Sequence, residues 1–196
     1  MGIRSILVNS QLGLKSRRCK SSTFSFPEAL YVSRNVLILL PQGLRELTMV
    51  KPYLPEFADI FSPAEMYLLA TPGSHVVNIF PRKGYRILAP GPSQTTWTGL
   101  PKASYLKTLT SNNFDLMIDL NLNENPFAAR TLLEFEKALK IGVGGDLGEP
   151  FYNLEIKTGY MQDERNIYRA FVDMISELKS PHGPTGTFQR EIHGLR

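Results

Sequence analysis

Two acidic side chains of this 196-residue chain occupy positions at which α/β proteins carry out chemistry. Glu46 follows an apolar run at residues 35–40 so closely that it falls in the loop or first helical turn after a strand. A carboxylate there can lie at the mouth of a parallel sheet, where a general base would accept a proton. The alternative is a solvated residue at the start of a helix. Glu46 is therefore the candidate catalytic residue.

Asp115 and Asp119 lie four residues apart in the apolar run FDLMIDL, residues 114–120. On a strand this spacing puts both carboxylates on one face. Ligands of open α/β sheets bind outside the carboxyl ends of the strands, so Asp119 is the better ligand candidate, and Asn121 in the following loop is another. The alternative for Asp119 is that it accepts hydrogen bonds from backbone amides of neighbouring loops.

Arg45 is the cation next to the candidate base. Its guanidinium can pair with a phosphate or with a carboxylate, so it is a candidate ligand-binding residue. As for Glu46, the alternative is a solvated side chain at the start of a helix.

Glycine, cysteine and histidine give weaker signals. Four glycines follow a late strand, but they lack the GxGxxG spacing and open no helix, so a turn between strands explains them better than a dinucleotide site. The single cysteine and the three histidines show no spacing typical of a metal site or a catalytic triad. We therefore expect no metal and no cofactor. These residues are Gly142, Gly144, Gly145, Gly148, Cys19, His75, His182 and His193.

The hydrophobic pattern predicts the elements that must position these side chains. The run at 114–120 has the length and composition of a strand buried on both faces. Asn125 is a helix cap, Pro126 suits a first turn, and the run KIGVG at 140–144 is the next strand. Strand, helix and strand in this order form the unit of a parallel sheet.

Further elements follow from the same patterns. Strands are predicted at 35–40, 66–70 and 151–158, the last at an edge of the sheet. Residues 76–80 and 85–89 form a helix end and a strand or a small hairpin, and 89–101 form a loop. Helices are predicted at 42–54, where Pro52 and Pro55 end or kink the helix, at 101–111 and at 163–178. The fold class is α/β, a single Rossmann-like domain with a mainly parallel sheet.

The chain divides into a basic arm rich in Ser and Arg (1–30), the domain (31–180) and a flexible tail (181–196). No acid precedes Glu28, and the arm holds five of the bases, so the body is nearly neutral. We interpret the arm as a solvated, partly disordered extension; the alternatives are an organelle targeting peptide, or a contact for phosphate, lipid head groups or a partner. The five bases are Arg4, Lys15, Arg17, Arg18 and Lys20.

Partners and location follow from charge and hydropathy. The basic excess does not lie on a patterned face, so nucleic acid is not expected as a partner. No apolar run reaches about 18 residues, so we expect no transmembrane segment. The expected location is cytoplasmic, with peripheral contact to a membrane as an option.

The order of these segments resembles the amino-terminal half of the lipopolysaccharide heptosyltransferase family, glycosyltransferase family nine. The resemblance covers residues 35–178 and rests on NVLILLP, RELTMVKPYL, AEMYLLATPG, FDLMIDLN and AARTLLEFEKALKIGVG. It implies one half of a GT-B fold. Counting back from Pro52, the Gly-Asp dipeptide of the family falls on Arg45 and Glu46, so the glycine is lost and the acid is one methylene longer.

The resemblance also implies a function. In that family a carboxyl-terminal domain binds the nucleotide-sugar donor, and this chain stops where that domain would begin. We expect a glycosyltransferase-like subunit that is not catalytic alone, because transfer requires donor and acceptor to be held together. It would act in binding or assembly, with another protein or a larger assembly covering its open face, and with a sugar or a phosphate as ligand.

The alternative is the acceptor-binding half of a split glycosyltransferase, in which Glu46 deprotonates a sugar hydroxyl. The surroundings of Glu46 distinguish the two hypotheses. An open pocket favours the enzyme, whereas a carboxylate locked against Arg45 or buried under a partner favours the binding subunit.

Overall fold

A single parallel sheet forms the centre of the protein. The computed structural model describes residues 3–20, 22–73, 80, 84–143, 147–156 and 163–180. Its six strands are all parallel, in the order β3-β2-β1-β4-β5-β6. The strands are β1 (Asn35–Leu39), β2 (Glu65–Leu69), β3 (Arg86–Leu88), β4 (Leu116–Asp119), β5 (Leu139–Val143) and β6 (Leu154–Ile156). The predicted α/β class and Rossmann-like organisation are confirmed, and β6 is an edge strand as expected.

Helices cover both faces of this sheet. The α-helix predicted at 42–54 ends at Val50, before Pro52, as the prolines predict. A 3-10 turn and a second α-helix follow it directly, and Pro52 and Pro55 lie in their first turns, where the missing N–H group costs no helical hydrogen bond. The described α-helices are α1 (Ile3–Ser16), α2 (Glu28–Tyr31), α3 (Leu44–Val50), α4 (Leu54–Phe61), α5 (Ala103–Thr110), α6 (Pro126–Leu132) and α7 (Glu164–Leu178). Short 3-10 helices span Lys51–Tyr53 and Pro92–Gln94.

Alternate residues of the central strands face two separate cores. Val36 and Ile38 pack with side chains of α3, α4 and α7. Leu37 and Leu39, which point the other way, pack with side chains of α5 and α6. Since both faces are buried, the central strands are apolar at nearly every position, which is why their sequences predict a parallel sheet.

The amino-terminal arm differs from the predicted disordered extension, because residues 3–16 form α1. Val8 is buried, and Leu12, one turn later, packs against the core beside α6. Beyond the helix, the Cys19 thiol donates to the carbonyl of Leu133 at 3.5 Å. An apolar pair at four-residue spacing is enough to fix one helical face on the body.

Parts of the predicted elements lie outside the described residues: 76–79 of the run at 76–80, residue 144 of the strand at 140–144, 157–158 of the strand at 151–158, and the tail at 181–196. Within the described ranges, no helix combines the length and the hydrophobicity needed to cross a bilayer.

Candidate ligand-binding site

A groove of about 280 Å³ opens at the carboxyl ends of β1 and β4. One wall is the loop after β1 with the first turn of α3, and the other is the loop between β4 and α6. The strand order reverses between β1 and β4, and this reversal is where open α/β sheets leave a crevice for ligands. The polar residues of the groove are Gln42, Glu46, Asn121, Asn123, Glu124 and Asn125.

The buried carboxylate of Asp119 fixes the loop after β4, which forms one wall of the groove. Its Oδ1 accepts hydrogen bonds from the backbone N of Asn121 at 3.0 Å and from Asn121 Nδ2 at 2.6 Å. Its Oδ2 accepts from the Tyr152 hydroxyl at 2.8 Å. Burial raises the pKa of Asp119, and these donors act in the opposite direction. The predicted alternative for Asp119, acceptance from a loop amide, is thus what the structure has, and Asp119 orients the loop from beneath.

Tyr152 reaches Asp119 because Gly142 leaves room for its ring. Asp119 and Gly142 are direct neighbours across β4 and β5, and a Cβ at Gly142 would overlap the Tyr152 ring. Burial and the adjacent Asp119 carboxylate raise the pKa of Tyr152, so the hydroxyl stays protonated and donates. Gly142 lies inside β5, in agreement with the strand predicted at 140–144 and not with the predicted turn, whereas Gly144 and Gly145 lie outside the described residues.

Asn125 connects the loop after β4 to two other elements. Its Oδ1 accepts from the backbone N of Phe127 at 3.1 Å and of Ala128 at 3.2 Å, which confirms the predicted helix cap. Its Nδ2 donates to Asn121 Oδ1 at 2.9 Å and to Thr71 Oγ1 at 3.2 Å. The loop is therefore fixed to α6 and to the end of β2.

Glu46 forms the opposite wall. Its carboxylate folds back over Gly43, so closely that a Cβ at Gly43 would overlap Glu46 Oε2. Within the described part of the chain, this carboxylate accepts no hydrogen bond and pairs with no cation. Burial and then the nearby Glu46 charge raise the pKa of Tyr168, whose hydroxyl donates to the carbonyl of Leu120 at 3.0 Å. Glu46 is thus available to a molecule in the groove.

Arg45 does not line this groove. Its guanidinium pairs with the Glu164 carboxylate at 3.3 Å, and its side chain is 78% exposed. It borders a separate depression of about 450 Å³ between α3 and α7. The structure therefore brings Glu46 and Asn121 to one groove, puts Asp119 beneath it, and separates Arg45 from all three.

The sequence interpretation missed most of the asparagine wall. Asn121, Asn123 and Asn125 alternate after β4, and the sequence prediction includes only Asn121 as a ligand-binding residue and Asn125 as a helix cap. The available signal was the position of these amides, directly after the strand that ends in Asp119. Amides at the carboxyl end of a central strand predict a polar ligand site.

The groove's donors and acceptors define what it can bind. The Asn125 amide is used in bonds within the protein, so the amides open to a ligand are those of Gln42 and Asn123, with part of Asn121. These amides both donate and accept hydrogen bonds, whereas the carboxylates of Glu46 and Glu124 only accept. Sugar hydroxyls, which also donate and accept, match this set. Among the described lining residues there is no Lys or Arg to neutralise a phosphate, and two carboxylates would repel it.

Other chemistry is limited in the described ranges. No group of three His, Cys, Asp or Glu side chains there could hold a metal ion. The histidines, His75, His182 and His193, lie outside those ranges. No protein-family model matches the chain, and no curated protein matches it.

Proposed function

We propose that this chain binds a hydroxyl-rich ligand, a sugar or the end of a glycan, in the groove between β1 and β4. The observation that carries the proposal is the position of Glu46, a carboxylate without a partner among the described residues, opposite a wall of asparagine side chains. The resemblance of residues 35–178 to the amino-terminal half of a heptosyltransferase supports the same ligand class. In that half the acceptor sugar binds.

The proposed role is binding and not catalysis by this domain alone. Glycosyl transfer requires an activated donor held in line with the acceptor hydroxyl. A nucleotide-sugar donor carries a diphosphate, which Lys, Arg or metal ions usually hold. The described residues that line the groove include no such cation, so we assign donor binding to another domain or another protein.

A split glycosyltransferase is the second candidate, and one observation favours it. Arg45 pairs with Glu164, so Glu46 is not locked against its neighbour. A general base needs this freedom to approach a sugar hydroxyl within hydrogen-bond distance. In this hypothesis Glu46 removes the proton of the acceptor hydroxyl while a partner supplies the donor.

Ligand binding by the full chain tests the first proposal. Saturation-transfer NMR with a panel of monosaccharides and short oligosaccharides identifies a ligand, and calorimetry then measures its affinity. We expect Glu46→Gln to lower the affinity about tenfold, because one charge-assisted hydrogen bond is weakened. Glu177→Gln, at an exposed position of α7, is the matched control and should bind normally.

Two outcomes contradict the proposal. The first is that no carbohydrate in the panel binds. The second is that Glu46→Gln and Asn123→Ala both bind the ligand as tightly as the unaltered chain, which would locate the ligand elsewhere.

A pull-down of the full chain from its native cell extract tests the second candidate. A stoichiometric partner with a nucleotide-sugar-binding domain supports it, and transfer measured in that complex should disappear in Glu46→Gln while stability stays nearly unchanged. Persisting transfer in that variant would contradict the general-base role of Glu46.

A further inference from the structure

The outward face of α1 carries exposed apolar side chains that the groove does not use. Val8 and Leu12 hold the inner face of the helix against the body. Ile6, Leu7 and Leu14 are 56%, 39% and 57% exposed. At about 100° per residue these three positions fall within one third of the helical circumference, opposite the inner face. They form an apolar stripe that Ser10 interrupts between Ile6 and Leu14; it is called here the α1 stripe.

Positive charge adjoins the α1 stripe. Arg17, Arg18 and Lys20 follow the helix directly and are exposed. No acidic residue occurs before Glu28 in the sequence. Lys15 forms a salt bridge with Glu134 of the body, with 3.6 Å between Nζ and Oε2. The bases that can contact an external surface are therefore Arg17, Arg18 and Lys20.

We propose that α1 lies on an anionic lipid surface, with the α1 stripe in the interface and the bases at 17–20 against the head groups. Apolar side chains on one face, beside cations and without acids, are the features of helices that bind in the plane of a membrane. Anionic head groups supply the complementary charge.

Charge argues against the other occupants of this face. A second copy of the chain would bring two acid-free basic segments together, and like charges repel. A nucleic acid would use the bases but would leave the α1 stripe in water. An anionic bilayer satisfies both features at once, because its interface is apolar beneath a negative surface.

The groove stays accessible in this arrangement. The α1 helix covers α6 on one face of the sheet, whereas the groove opens at the carboxyl edge between β1 and β4. Attachment through the α1 stripe therefore holds the groove beside the membrane, where a membrane-borne glycan end could enter. The membrane contact itself does not depend on the proposed sugar ligand.

Vesicle flotation of the full chain tests the proposal. The vesicles are phosphatidylcholine alone, or phosphatidylcholine mixed with phosphatidylglycerol at about three to one. We expect flotation only with the anionic vesicles, and a decrease of about tenfold or more when salt is raised from about 0.1 to 0.5 M.

Two double variants separate the contributions. Ile6→Ser with Leu14→Ser, and Arg17→Gln with Arg18→Gln, should each reduce flotation about tenfold. The matched controls lie outside α1: Val32→Ser, at a 71% exposed position, and Lys102→Gln with Lys107→Gln on and beside α5. Circular dichroism and thermal unfolding confirm that each variant is folded.

Three results would overturn the proposal. One is equal flotation with both kinds of vesicle, and another is no flotation with either. The third is a loss of flotation in the charge variant alone, because ionic contact without insertion of the α1 stripe would then account for binding.

Discussion

A small number of side chains beneath the groove determine its shape. Asp119 is buried, yet it contributes to the site only by orienting Asn121 and by accepting from Tyr152. Sequence position identified Asp119 correctly as a residue at the carboxyl end of a strand. The partner could not be predicted, because Tyr152 lies on the far side of β5 and contacts Asp119 only where Gly142 lacks a side chain.

Substitution of Gly142 tests this arrangement. Gly142→Ala should destabilise the protein by about 1–3 kcal/mol, because the new methyl group displaces the Tyr152 ring. Tyr152→Phe removes only the hydrogen bond to Asp119 and should cost about 2 kcal/mol. Urea unfolding measures the free energy of unfolding of both variants.

The control for Gly142 is Gly13→Ala in α1. No atom lies within 4 Å of a Cβ built at Gly13, so alanine there should stabilise the helix slightly. The steric explanation is wrong if Gly142→Ala lowers the free energy of unfolding by the same amount in the Tyr152→Ala variant as in the unaltered chain.

Lys140 is a buried cation in β5. The residue is 2% exposed, and its Nζ donates to the carbonyl of Pro150 at 3.5 Å. Burial lowers the pKa of Lys140 below 10.5. Between its folded pKa and 10.5 the unfolded chain binds more protons at this residue, so Lys140 makes the free energy of unfolding rise with pH in that window.

Lys140→Met should therefore stabilise the protein at neutral pH by about 1–3 kcal/mol, because the cost of burying the ammonium group disappears. The gain should shrink as the pH approaches about 10.5. Urea unfolding at several pH values measures it, with Cys19→Ala in both chains because burial raises the pKa of the nearby Cys19 thiol, whose titration would otherwise add to the pH dependence. A gain that does not change with pH would contradict the electrostatic explanation.

At the scale of elements, the first turn of α3 sets the position of Glu46. Gly43 caps this helix with an extended backbone that alanine can also adopt. A larger side chain at position 43 is therefore opposed by the Glu46 carboxylate that folds over Gly43, and not by the backbone conformation.

Gly43→Ala should move the Glu46 carboxylate with little effect on stability, because the end of a flexible side chain can shift at small cost. On the proposed function, carbohydrate affinity measured by calorimetry should fall, while the urea midpoint changes little. A normal affinity in Gly43→Ala together with a reduced affinity in Glu46→Gln would show that the exact position of the carboxylate is unimportant.

Sequence patterns predicted some elements well and others poorly, for physical reasons. Strands such as β1 and β4 were found because burial on both faces leaves an apolar run. The amphipathic helix α7 was found from the apolar stripe in its sequence, and the predicted range begins at Asp163, which is the cap of this helix in the structure. The helix α1 was missed because the prediction for residues 1–30 rested on their basic, acid-free and Ser-rich composition as a whole. The helix itself contains six aliphatic residues, of which Val8 and Leu12 pack against the body.

At the scale of the whole molecule, the alternation of strands and helices along the sequence is sufficient to predict the α/β class. The position of the groove also follows from topology, since the two helical layers separate where the strand order reverses. What topology could not supply was the direction of individual side chains. Arg45 and Glu46 are adjacent in sequence, yet the first pairs with α7 and the second faces the groove.

The pairing of β1 with β4 has a consequence for folding. These strands are neighbours in the sheet but far apart in the chain, so joining them closes a long loop and costs more entropy than the local pairing of β4 with β5. The two walls of the groove belong to the two sides of this junction. Any molecule that contacts both walls binds only after the junction has formed, and its binding energy therefore clamps the two halves of the sheet together.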